Sequence, residues 1–267
     1  MSSTQKNFAL PLAFIGIMFF AIGFALGINS VLIPVLQGSL GITSAESYLI
    51  IAATFVPFLI FGYPASMTIK AIGYKRTMAL SFAMFAIAFG LYIPSASQES
   101  FALFLVASFV SGTANAFLQA SVNPYITILG PLDSAAKRIS IMGICNKLAW
   151  PIPPLFLAFL IGKEVSDITV SDLFTPFYVI IAAFILLGII SLMAPLPEVK
   201  AAGEDDSEGG AEACPYAAGK TSVWQFPHLL LGCLALFLYV GEETHSLVTL
   251  VDYSNSLQLE HAPAYAR

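Results

Sequence analysis

AAGEDDSEGGAEA, residues 201–213, is the stretch of this chain least able to enter a membrane. It carries Glu204, Asp205, Asp206, Glu208 and Glu212, interleaved with Gly, Ala and Ser. Almost everything around it is apolar. Of 267 residues, 58% are hydrophobic and only 10% are charged, and the mean hydropathy is +0.84. Soluble domains carry about a quarter charged residues, so the bilayer is the solvent implied. The net charge of −5 is concentrated in this one loop and says little about partners. No basic patch marks a nucleic-acid surface. Cys145, Cys214 and Cys233 are scattered and form neither a CxxC pair nor a disulfide framework.

Outward from the acidic stretch, the apolar runs can be counted. A helix needs about 20 apolar residues to cross the hydrocarbon. Six runs precede the stretch, near 9–30, 47–68, 77–95, 101–129, 139–162 and 173–195. One follows it, near 226–250. Short segments with turn residues separate them: GSLGIT, AIGYKR, PSASQES, GPLDSAAKR and GKEVSDITVSD. The opening segment, MSSTQKNFALPLAFIG, shows no small-residue cleavage site and is expected to be a mature first span. If the spans alternate, Lys6, Lys70, Lys75, Arg76, Lys137, Arg138, Lys200 and Lys220 share one side, and only Lys163 lies opposite among the short loops. The positive-inside rule makes that side cytoplasmic, with the N-terminus and the acidic linker on it.

The expected fold is therefore an all-α membrane protein. Residues 1–195 form a six-helix transmembrane bundle, 196–225 a flexible cytoplasmic acidic linker, and 226–267 the first helix of a second bundle. A lone seventh span makes little sense as a finished product, so a truncated twelve-span chain is expected.

Polar residues inside spans are costly and usually face the bundle interior or a water-filled cavity. NAFLQASVNPYITILGP, residues 115–131, places Asn115, Gln119 and Asn123 four apart, which makes one stripe on a helix. Asn29 and Ser30 lie in span one, Asn146 and Lys147 in span five, and Glu242, Glu243 and His245 in span seven. Amides offer donors and acceptors together and suit a neutral polyol. Trp150 and Phe117 could cover the apolar face of a sugar ring. Amides also join membrane helices to one another, and for any single one both roles stand open. Gln119 leads as the substrate contact. Asn123 precedes Pro124, where the helix loses a backbone bond, and is expected to repair that break. Lys147 either snorkels to the cytoplasmic interface or lines the cavity. Trp150 followed by Pro151, Pro153 and Pro154 breaks span five. Glu242 and Glu243 lie at membrane depth if span seven runs to Leu250, and in water if it ends near Gly241. Amides and a hydroxyl precede a proline in both GINSVLIPVLQ and QASVNPYITIL, on spans one and four, the pattern of an inverted three-helix repeat.

LQASVNPYITILGP, SAAKRISIMGICNK, GINSVLIPVLQ and FLYVGEET together resemble the fucose–galactose–glucose:proton symporter family of the major facilitator superfamily, in particular its bacterial glucose/galactose transporters. The resemblance covers residues 9–255, the N-terminal half of the family fold plus one span. It implies alternating access between two six-helix bundles and hexose transport across the bacterial inner membrane. It also assigns residues. The family's first-span Asn-Asp pair falls on Asn29 and Ser30. Its fourth-span Glu falls on Gln119, with Asn123 and Pro124 matching directly. Its fifth-span polar pair falls on Gly143 and Asn146. Both carboxylates linked to proton coupling are thus neutral here, so sodium coupling or facilitated diffusion is expected, unless Glu242 or Glu243 takes the proton. The superfamily loop between spans two and three keeps its basic end in Lys75 and Arg76, with Lys70 where an Asp is usual.

The expectation is a hexose transporter of the glucose/galactose class with Asn29, Gln119, Asn123 and Asn146 on the substrate. Ser30, Lys147, Glu242, Glu243, Lys75 and Arg76 would serve coupling or gating. The expected partners are a small-molecule sugar and the lipid bilayer, with no nucleic acid. The full-length protein is expected to be a monomer. No cofactor is expected beyond a coupling ion, Na+ or H+. The alternatives are a non-transporting sensor or scaffold, or an inactive truncated fragment. HExxH, GxSxG and paired aspartates on facing spans are all missing, so the chain does not read as an enzyme.

Overall fold

The computed structural model describes residues 9–129, 132–163, 168–194, 196 and 223–256. Long apolar runs in lipid must satisfy their backbone groups internally, and a helix does so. The described residues form α-helices and short 3-10 turns, with no strand among them. The helices are α1 (Ala9–Leu40), α2 (Ser44–Ile72), α3 (Tyr74–Ser97), α4 (Phe101–Ile128), α5 (Ala135–Ala149), α6 (Ile152–Ile161), α7 (Phe174–Met193) and α8 (Pro227–Ser256). Six stretches of the described residues are long and apolar enough to cross a membrane, α5 and α6 counting as one. The chain divides into two units, 1–204 with α1 to α7 and 205–267 with α8.

The helices run further than the hydropathy pattern predicts, and the separators shrink. GSLGIT contributes only Gly41, Ile42 and Thr43 to the turn, because α1 continues to Leu40. Gly41 takes φ +63, the left-handed conformation that closes a helix. Thr43 then opens α2 with a capping box: its hydroxyl accepts from the Glu46 amide, and the Glu46 carboxylate accepts from the Thr43 amide. AIGYKR reduces to Gly73 at φ +83 between α2 and α3. PSASQES begins inside α3, which runs over Pro94 to Ser97. In unit two, α8 passes through Gly241 without a break, so the alternative of a helix ending there is corrected. Span five does break where PIPP predicts. Three prolines within four residues remove three backbone donors, and α5 stops at Ala149.

Packing within unit one is uneven. At its back, Phe85, Phe89 and Tyr92 of α3 meet Phe177 and Phe184 of α7, with ring centroids 4.8 Å apart for Phe85–Phe184 and 5.4 Å for Tyr92–Phe177. α4 is wedged between α2 and α3. A Cβ on Gly112 would collide with the carbonyl oxygen of Thr54, so this glycine sets the α2–α4 approach. Leu59 and Phe159 are 89% and 87% exposed, as residues of a bundle that faces lipid are free to be.

Candidate functional site

The polar residues of the spans fall into two groups. The first is sealed. Asn29 of α1 is 7% exposed. Its Nδ2 donates to Thr54 Oγ1 of α2 at 3.2 Å, and its Oδ1 accepts from Tyr92 Oη of α3 at 2.9 Å. Ser108 Oγ of α4 lies 2.9 Å from the same Tyr92 oxygen. The single phenolic proton goes to Asn29, so Ser108 is the donor there. Thr54 passes its own proton to Ile50 O at 2.8 Å. Four helices meet in one chain of hydrogen bonds, and Gly112 makes it possible by admitting Thr54. Sequence spacing missed Thr54, Tyr92 and Ser108. Hydroxyls on apolar helices commonly bond their own backbone, so their sequence signal is weak.

The second group opens outward. Asn115 of α4 is 1% exposed, and its Oδ1 accepts from Gln119 Nε2 at 3.1 Å. Gln119 is half-buried and Asn123 is exposed. A step of four residues turns a helix about 40° past a full turn, so the stripe rotates from interior to surface along its length. Around Pro124 the backbone is bonded by hydroxyls: Ser121 Oγ donates to Phe117 O at 2.8 Å and Thr127 Oγ1 to Pro124 O at 2.6 Å. Ser30 is exposed and donates weakly to Leu26 O at 3.4 Å.

α5 adds Asn146, whose Nδ2 donates to Phe19 O of α1 at 3.1 Å. The contact depends on glycine. A Cβ on Gly23 would collide with Asn146 O, and one on Gly27 would lie 2.9 Å from Trp150 O. Lys147 is exposed, its Nζ 5.4 Å from the Trp150 ring centroid. Trp150 Nε1 is buried without an acceptor; the other such atom among the described residues is Ser191 Oγ. Beside the amides, α1 and α5 border an apolar groove of about 780 Å³ lined by Gly16, Phe20, Met142, Cys145 and Leu148, with Arg138 at one end. None of the sequence-predicted site residues lines it.

Arg138 has a further task. Its Nε donates to Ile126 O at 3.1 Å and Nη2 to Thr127 O at 3.0 Å, and Nη1 reaches Ser134 Oγ. It therefore caps the last carbonyls of α4 from the first turn of α5, the charge sign a helix C-terminus favours. Lys75 is half-buried and Arg76 exposed in the first turn of α3, and Lys70 is exposed in the last turn of α2. Glu242 is exposed and Glu243 half-buried within α8. No three His, Cys, Asp or Glu side chains cluster among the described residues.

A bundle of long apolar helices agrees with what comparison finds. The Major Facilitator Superfamily model matches residues 15–263, so the chain belongs to that superfamily. It is 34% identical over 259 residues to a glucose/galactose transporter of Brucella abortus, covering 94% of this chain and 60% of that protein. It is 24% identical over 269 residues to the L-fucose-proton symporter of Escherichia coli, again covering 94% and 60%. The solved structure of FucP, a superfamily transporter in the outward conformation, superposes with a TM-score of 0.73 at 23% identity, over 93% of this chain and 64% of that one. The chain thus spans about 60% of the length of these relatives.

Proposed function

We propose that the protein transports a hexose of the glucose/galactose class across a bacterial inner membrane by alternating access, with its N-terminus in the cytoplasm. Gln119 is the central contact, with Asn123 and Asn146 beside it. Asn29 ties α1 to α2 and α3 through its sealed bonds. The observation that carries this reading is that α4 and α5 each bring a half-buried amide, Gln119 and Asn146, while the described spans of α1 to α7 hold no carboxylate in their interior. Among the described residues of α1 to α7, the acids stand at the ends: Glu46, Glu99, Asp133 and Asp172. Neutral donors and acceptors suit hydroxyls. A site without a titrating acid favours sodium coupling or facilitated diffusion over proton symport, and leaves Glu242 and Glu243 as the alternative proton carriers.

The test is uptake of radiolabelled glucose into vesicles, with sodium and proton gradients imposed separately. The expected result is stimulation by sodium, or equilibration under neither gradient, and at least tenfold slower uptake for Gln119→Ala. Proton-stimulated uptake would move coupling to α8. Unchanged uptake in Gln119→Ala would remove the central assignment. A second reading, a membrane scaffold, is favoured by the sealed Asn29 network, in which amides serve helix association alone. Absence of any uptake from correctly inserted protein would select it.

A further inference from the structure

Among the described residues, the indole of Trp150 and the hydroxyl of Ser191 carry the two buried side-chain polar atoms that the fold does not satisfy, and the indole is the one at the break in span five. Trp150 is the hinge residue of the broken span: its backbone amide donates to Lys147 O at 3.3 Å, and Pro151 follows. Its carbonyl faces Gly27 of α1. It stands one turn beyond Asn146, which is bonded to Phe19 O. The ring carries the Lys147 ammonium at 5.4 Å, and the buried Nε1–H has no acceptor. An indole nitrogen can only donate, and a buried donor left without an acceptor costs about 1–3 kcal/mol. The partner it lacks is a hydrogen-bond acceptor. A cation cannot be that partner beside Lys147. A hydroxyl of a polyol can be, and since Nε1 is closed to solvent in this structure, the hydroxyl reaches it when the α5–α6 break opens.

We propose that Trp150 is a specificity-determining residue of the hexose site, and that its Nε1–H donates to one particular sugar hydroxyl. The inference rests on the hexose reading above. A donor fixed at a helix break tells a sugar bearing that hydroxyl from one lacking it, because without the acceptor the N–H returns to its unpaired state. Sites built around a required hydroxyl discriminate far more sharply than apolar pockets do.

The experiment is equilibrium dialysis of the chain in lipid nanodiscs against glucose, galactose and a series of singly deoxygenated glucoses. One deoxyglucose is expected to bind the native chain about tenfold more weakly than glucose. Trp150→Phe keeps an aromatic ring and removes the N–H. It is expected to weaken glucose by the same factor and leave that one deoxyglucose unchanged. Uniform weakening of every sugar, or no change in any, overturns the proposal. A second measurement leaves Trp150 itself intact. The chain has two tryptophans, so Trp224→Phe makes Trp150 the single emitter. Its emission is expected to shift when glucose binds, and an unmoved spectrum with glucose bound by dialysis overturns the proposal. If the native chain binds no hexose, the sugar reading falls and this inference with it. If hexose binds but Trp150→Phe does not discriminate, only this inference falls.

Discussion

α4 and the broken span α5–α6 both carry residues of the proposed site, yet they are held in opposite ways. The most apolar window of α4 is 61% buried and that of α5–α6 is 17%. α4 is gripped on two sides, by α2 through Gly112 and by α3 through Tyr92 and Ser108. α5 leans on α1 along one line of glycines and reaches α4 through Arg138. A segment with many buried contacts opens only at high cost, and one with few opens cheaply. The comparison casts α4 as the fixed wall of the site and α5–α6 as the part able to shift, with its kink at Trp150 already in place.

The sharpest way to break that contrast is to fill the glycine seams. Gly112→Leu places a side chain where Thr54 O stands, and a backbone carbonyl cannot swing aside. α2 must retreat, taking Thr54 away from Asn29. The expected loss is about 3 kcal/mol, measured as a fall in the thermal midpoint in detergent. Gly90→Leu, with nothing within 4 Å of a Cβ, is the control and is expected to melt near the native midpoint. Gly23→Leu is expected to cost less than Gly112→Leu, because α5 can move away from α1. Equal losses at the two seams would abolish the distinction between wall and moving part.

Arg138→Met comes next. It uncaps the α4 carbonyls at Ile126 and Thr127 and cuts the α4–α5 link in one step. Bonds to a charged donor are worth about 1.5–3 kcal/mol each, but the freed carbonyls lie near a helix end, where water and local turns can partly replace them. A loss of about 2 kcal/mol is expected, with faster amide hydrogen exchange at Thr127 and Ile128 as the local readout. Unchanged exchange there would mean that α5 is anchored to α1 alone.

The spans were plain in the sequence because lipid imposes one length and one chemistry. The ends were less plain, because hydropathy marks where a helix meets water, whereas Thr43, Gly41 and Gly73 decide where it stops. In the site, the rotation of Asn115, Gln119 and Asn123 from interior to surface follows from helix geometry, and the break at Trp150 from three prolines. The partners of Asn29 did not follow. Thr54, Tyr92 and Ser108 converge only through packing of four helices, and no spacing along the chain encodes it. Arg138 was legible as a topology-setting charge but not as a cap, since that role depends on where the end of α4 lies in space.

Tyr92→Phe sharpens the view of the sealed network at modest cost. It removes one oxygen that serves both Asn29 and Ser108 and keeps the aromatic packing on Phe177. Polar bonds between membrane helices average below about 1 kcal/mol each, so two of them set an expected loss of stability of about 1 kcal/mol, read as a small fall in the thermal midpoint. If the sealed group only holds the wall, glucose affinity is expected to stay within about twofold of native, a shift of about 0.4 kcal/mol. A larger affinity change at unchanged stability would bring Asn29 into direct contact with substrate.

The smallest effect is expected at the turn that joins α6 to α7. Lys163 Nζ lies 2.9 Å from both carboxylate oxygens of Asp172, with the side chains 47% and 21% exposed. The geometry is good, but the pair is wet, and Asp172 has other donors. Its Oδ2 also accepts from the Thr169 amide at 3.0 Å and from Thr169 Oγ1 at 2.8 Å. Lys163→Gln therefore leaves the carboxylate bonded and the capping box of the turn intact. Exposed ion pairs contribute about 0.2–1 kcal/mol, and screening shrinks that further as the Debye length falls to about 3 Å at 1 M salt. A midpoint difference between native and Lys163→Gln should be small at low salt and vanish at high salt. A loss larger than that of Tyr92→Phe, persisting in salt, would place the anchor of α6–α7 at this turn. The broken span would then be fastened at its far end, and its freedom would be confined to the kink at Trp150.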